Sequence, residues 1–187
     1  MGVIKINSFR NVLYLLVLVL VFALAAGCAG DGPAEGQAAS GPQAAYILQE
    51  NFDQGYLNLW TGVNTDVQIS TAFARSGQYS AQVTTRGAGW NRFEYNFAGM
   101  LEAGKTYEFT VWIYHEAGQD LEFHLARKIG DNYAWLGGNV VIPNKQWTPI
   151  TNTYVVDAHT DEWTFFVEVY VEGVVYYVDD ISVKLAE

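Results

Sequence analysis

Near the end of the chain, Glu168, Tyr170 and Glu172 recur at every second residue within WTFFVEVYVEGVVYYVDDISV, Trp163–Val183. A phenol ring between carboxylates suits recognition of a sugar: a pyranose offers apolar C–H patches to a ring face and a rim of hydroxyls to an acceptor. The same residues could instead be general acid and base. Paired glycosidase carboxylates stand ~5–5.5 Å or ~6.5–9.5 Å apart. Glu168 and Glu172 would be separated by about 13 Å on one strand, which disfavours that chemistry for this pair. Glu94, Glu108 and Glu122 come from other segments, and the sequence leaves their cross-strand distances open.

The element that holds these residues must be a β-strand. Phe165, Val167, Val169 and Val171 point one way, while Phe166, Glu168, Tyr170 and Glu172 point the other, and period-2 alternation with one apolar face places that face on a core. Gly173 marks a turn, and Val175–Leu185 reads as a last strand containing Asp179 and Asp180. Further strands are expected near Tyr46–Phe52, Asp66–Thr71, Tyr79–Thr85, Trp90–Phe97, Lys105–Glu116, Asp120–Arg127, Tyr133–Ile142 and Trp147–Val156. Gly, Asn, Asp and Pro clusters punctuate them. No segment after residue 45 shows a helical apolar stripe. Many short strands in one domain predict an all-β fold, an antiparallel β-sandwich of jelly-roll, galactose-binding-like type.

Sandwich strands bury one face, so rings on the other face are informative. Tyr107, Phe109, Val111 and Ile113 make a core row, opposed by Glu108, Thr110, Trp112 and Tyr114. Trp90 aligns with Arg92, Glu94 and Asn96, opposite Phe93, Tyr95 and Phe97. Leu121, Phe123 and Leu125 oppose Glu122 and His124. If these mixed rows lie side by side they form one wide concave face. Arg92 and Trp112 are candidates for it, with cross-strand pairing and sandwich packing as the plain alternatives. His124 reads as an exposed strand histidine.

The first residues are not part of this fold. Met1–Gly27 has Lys5 and Arg10 followed by VLYLLVLVLVFALAA, the pattern of a secretory signal. Ala25-Ala26-Gly27-Cys28 resembles a bacterial lipobox, with Ala25 where leucine is usual. Cys28 is the sole cysteine, so no internal disulfide forms and lipidation there is expected. Ala29–Ala45 lacks large apolar residues and reads, with Cys28, as a flexible tether (28–45). The folded domain is then 46–187. The chain carries a net charge of −10, which excludes a nucleic-acid binder built on clustered Lys and Arg. No GxSxG, HExxH or P-loop is present.

At this point the domain resembles the jelly-roll carbohydrate-binding modules of the family 4, 9 and 22 group, family 22 most. The matching pieces are ENFDQGYLNLW (50–60), ARSGQYSAQV (74–83), TRGAGWN (85–91), LEAGKTYEFTVWIY (101–114) and YVEGVVYYVDDISV (170–183). The resemblance implies that Trp90 stacks on a sugar ring, that Tyr170 stacks beside a hydrogen-bonding Glu172, and that Tyr133, or Trp135, supplies a further ring. It also implies a structural Ca²⁺ tying the first strand to the last, with Asp180 matching its carboxylate and Glu50 the first-strand candidate. One departure is the absence of the family's arginine after Trp60, where Thr61-Gly62 stands. The expectation is a monomeric, non-catalytic module, lipid-anchored at the bacterial cell surface or envelope through Cys28. It would bind β-linked plant polysaccharide of xylan or β-glucan type. The alternatives are a surface sandwich that meets a protein partner and a small polysaccharide hydrolase or lyase.

Overall fold

The structure is a computed structural model that describes residues 45–87, 89–157 and 161–186. The expected signal at 1–27, the lipidated Cys28 and almost all of the tether lie outside the described residues. The strands are β1 (Tyr46–Glu50), β2 (Thr61–Val63), β3 (Thr65–Ser70), β4 (Ser80–Thr85), β5 (Arg92–Asn96) and β6 (Thr106–His115). They continue with β7 (Leu121–Ile129), β8 (Asn132–Trp135), β9 (Val140–Ile142), β10 (Thr148–Val155), β11 (Trp163–Val169) and β12 (Val175–Leu185).

They pair antiparallel into two sheets. The first runs β10-β6-β12-β4-β3, with β1 added along β12; the second runs β2-β5-β11-β7-β8, with β9 added along β7. This is the jelly-roll β-sandwich the strand pattern predicts. The core lies between the inner rows: Phe109, Val111 and Ile113 from β6 meet Phe165, Val167 and Val169 from β11. Phe109 stacks on Trp163 at 5.4 Å and on Phe165 at 5.2 Å, joining the sheets through rings. Truncating a buried phenylalanine costs about 3–5 kcal/mol, so this stack is a main link between layers.

Two departures from the expected strands have local causes. The predicted strand Tyr133–Ile142 is two, β8 and β9, because the chain leaves the sheet between them. Gly137 there has φ 130°, and a Cβ on it would meet Asn152 Oδ1 at 2.4 Å, so only glycine fits. Strand β2 is three residues long, too short for alternation to show in sequence.

In β12 the register with β6 shifts between Asp179 and Ser182, and Asp180 takes φ 44°. This is a bulge, and it changes what the strand's other edge pairs with. Residues before it pair with β4 and residues after it with β1. The fully buried Asp179 Oδ2 accepts from the backbone N–H of Arg75 at 2.8 Å and of Ser76 at 3.1 Å, fastening the β3–β4 loop. Burial nevertheless pushes this carboxyl up to about 6.

Candidate functional site

The outer face of the second sheet carries the mixed rows of β5, β11 and β7 in register. Glu168 stands opposite Arg92 on one side and His124 on the other. Phe166 stands between Glu94 and Ala126, and Trp135 faces Ala126 from β8. Phe166 and Ala126 form the floor of a hollow of about 270 Å³ whose walls are Trp90, Tyr133, Trp135 and Tyr170, with Glu168 also lining it. These four rings are the most exposed large aromatics of the sheet, Trp90 at 67% and Trp135 at 53%.

Each ring is held. Trp90 has φ 60°, a left-handed backbone that a bulky residue adopts only under constraint. The constraint comes from the fully buried Asn91, whose Oδ1 accepts from Gly87 N at 3.3 Å and from Asn64 Nδ2 at 3.1 Å. Asn64 also donates to Gly89 O at 3.0 Å. Trp90 thus stands out of the sheet, edge-on to Tyr133 at 5.9 Å. Arg92 Nη1 donates to the Tyr133 hydroxyl at 3.2 Å. The His124 ring underlies Trp135 at 4.7 Å and meets Tyr170 edge-on at 5.3 Å. The Tyr170 hydroxyl donates to Glu168 Oε1 at 2.7 Å, and burial together with that carboxylate pushes the phenol up to about 12.

The structure brings Trp90, Tyr133, Trp135 and Tyr170 together, with Arg92 behind Tyr133. Two candidates do not join them. Glu172 is exposed in the turn beyond β11 and does not line the hollow, because the strand ends at Val169. The carboxylate beside Tyr170 is Glu168, two residues earlier on the same face. Trp112 lies on β6 in the other sheet, its ring 3.6 Å from the guanidinium carbon of Arg75. The row of β6 does not lie beside those of β5, β7 and β11, so the wide face drawn from four strands is built from three of them, with β8 added. His124 is 4% exposed rather than open, with no partner for Nδ1 among the described residues, and burial lowers its pKa. Its small neighbour Ala126, which leaves room for Trp135, was the available sequence signal.

Glu50 and Asp180 do border one polar hollow of about 480 Å³, together with Arg75 and Trp112. Their oxygens are committed, however. Glu50 accepts from Phe52 N at 2.9 Å and from Asn58 Nδ2 at 2.6 Å, while Asp180 accepts from Ser76 Oγ at 2.7 Å and pairs with Arg75. Calcium takes six to eight oxygens, and among the described residues no three His, Cys, Asp or Glu side chains converge. As arranged, these residues do not fit the ion, because a guanidinium stands against Asp180.

A jelly-roll sandwich with exposed rings and a hydrogen-bonded carboxylate around an open hollow defines a carbohydrate-binding class of protein. Residues 44–172 match the CBM_4_9 family model, described as a carbohydrate binding domain, and the chain belongs to that family. It is 31% identical over 154 residues to endo-1,4-beta-xylanase A of Thermotoga neapolitana, a match covering 77% of this chain and 14% of the xylanase. The chain thus spans about a seventh of the length of that relative. Among solved structures, the CBM22-1 xylan-binding domain of Paenibacillus barcinonensis Xyn10C superposes with TM-score 0.70 at 16% identity, covering 77% of this chain and 96% of that one. The C-terminal family 22 module of Clostridium thermocellum Xyn10B gives 0.66 at 22% identity, covering 75% and 94%. These likenesses agree in fold.

Proposed function

We propose that the domain binds a β-linked plant polysaccharide, xylan before β-glucan, and does no chemistry on it. The observation that carries this reading is the set of four exposed rings around one hollow with the Glu168–Tyr170 pair inside it. Rings bury the C–H faces of successive sugars at about 25 cal/mol per Å², and Glu168 offers a charged acceptor for a hydroxyl. Support for xylan comes from the relatives, a xylanase and a structure described as a xylan-binding domain. The leader and Cys28 support an extracytoplasmic, lipid-anchored position, with the domain presented by its tether as a monomer. Thr61-Gly62, in place of the family's arginine, implies looser binding than the family's usual.

Calorimetric titration with xylo-, cello- and manno-oligosaccharides tests the proposal. Saturable heat with the xylo series supports it, and heat with the cello series alone changes the polysaccharide. The absence of heat with all three, from folded protein, turns the hollow into a contact for a protein partner. Release of reducing ends or unsaturated products would overturn the non-catalytic part.

A further inference from the structure

The cations of the domain are unevenly partnered. Arg75, Arg86, Arg92, Arg127, Lys145 and Lys184 each have an acidic side chain within ion-pair reach. Lys128 does not, among the described residues, and the same holds for Lys105, which precedes β6 on the other sheet. Lys128 lies on β7 two residues beyond Ala126, so it shares the outer face with the floor of the hollow. Its cross-strand neighbours are Thr164 and Tyr133, both uncharged. Its Nζ is 5.7 Å from the Tyr133 ring centroid, and the guanidinium carbon of Arg92 is 5.4 Å from the same ring. Tyr133 is thus a wall of the hollow framed by two cations. Glu162, across the sheet from this end of β7, has its carboxylate by the hairpin glycine: a Cβ on Gly130 would lie 3.1 Å from Oε2. Glu168 and Glu94 belong to the rungs of Arg92 and Phe166, further along the face.

An unpaired ammonium beside a stacking ring can donate to the hydroxyls of any sugar, branched or not. It does discriminate in favour of an anionic substituent. The net charge of −10 opposes anions in general, but charges further off than about 8 Å are largely screened at physiological salt. At Tyr133, Lys128 is the cation without an ion-pair partner among the described residues, since Arg92 is paired with Glu94; Glu168, which lines the same hollow, opposes an anion placed deeper in it.

We infer that the Tyr133 end of the hollow accepts a carboxylate-bearing branch, so that the domain prefers uronic-acid-substituted polysaccharide over the bare backbone, with Lys128 as the residue that sets the preference. This rests on the polysaccharide reading above and narrows it.

The test compares two xylo-oligosaccharides of equal backbone length, one unsubstituted and one carrying a single glucuronic acid branch, against the wild-type protein, Lys128→Gln and Lys128→Glu. The wild type binds the branched ligand about threefold tighter at about 150 mM salt, the scale of an exposed ion pair, and the gain disappears at about 1 M. Lys128→Gln equalises the two ligands, and Lys128→Glu reverses their order. Equal affinities in the wild type would overturn the inference while leaving the polysaccharide reading standing. So would a preference that survives Lys128→Gln or high salt. Binding of neither ligand would overturn the broader reading, and this inference with it.

Discussion

The two sheets use similar residues to opposite ends. On the second sheet, Trp90, Tyr133, Trp135 and Tyr170 stand apart around a hollow and keep much of their surface open. On the first, Tyr114 and Tyr177 are buried under Phe73, at 4.6 and 5.0 Å from its ring respectively, and Trp112 is covered by Arg75. Each side pairs arginine with rings and has a carboxylate nearby. The difference lies in what comes over the face. The β3–β4 loop, fastened by Asp179 and Asp180, lies over the first sheet and turns its rings into a small outer core. Over the second sheet the bonds of Asn64 and Asn91 hold Trp90 upright instead of folding it down. Aromatic content alone does not make a site; a site needs rings that the protein leaves open to solvent.

Substitutions separate the two faces. Trp135→Ala is expected to weaken oligosaccharide binding about tenfold or more, the order of an aromatic stacking contact plus its buried area, with the melting temperature little changed. Trp112→Ala should do the reverse, costing about 1–2 kcal/mol of stability through lost packing with Arg75 and leaving the affinity alone. Thermal melts beside titrations decide this, and a loss of affinity in Trp112→Ala would break the comparison. Glu168→Gln keeps the shape but removes the charge that holds the Tyr170 hydroxyl. A fall in affinity of about fivefold or more is expected from charged hydrogen bonding, whereas Glu172→Gln should change little.

The seam where Glu50 and Asp180 meet sharpens the contrast further. Because Arg75 already neutralises Asp180, millimolar calcium and EDTA should give the same melting temperature. A rise of several degrees with calcium would mean that the ion displaces the guanidinium and that the family's metal is retained here.

The smallest effect concerns pH. Burial lowers the His124 pKa below its ordinary 6.5, against the opposing pull of Glu168 and Glu122. The unfolded chain therefore takes the proton first, and stability present above about pH 6.5 is lost as pH falls through the folded-state value. Asp179 acts oppositely: its raised pKa gives stability that is full below 3.8 and lost as pH rises through about 6. His124→Gln should remove the first slope and keep the second, read from melting temperature between pH 4 and 8.

Much of this architecture could be read from alternation. The core rows of β6 and β11 and the strand identity of β12 follow from period-2 patterns, since one apolar face per strand is what a sandwich requires. Which strands share a sheet could not be read, because pairing between distant segments leaves no periodic mark. That is why Trp112 was grouped with rings on the far side of the core. The placing of Glu172 outside the hollow has a related reason. Alternation fixes a side chain's face but not where the strand stops, and β11 stops three residues before Glu172. The burial of His124 depends on Trp135 arriving from β8, and pairing between separate strands leaves no periodic mark.

The most direct test uses the six tryptophans as reporters. Indole N–H signals are followed by NMR as a xylo-oligosaccharide is titrated in. The account predicts movement of Trp90 and Trp135, with Trp60, Trp112, Trp147 and Trp163 still. Movement of Trp112 and Trp147 with Trp90 and Trp135 unmoved would place the binding on the first sheet and contradict it.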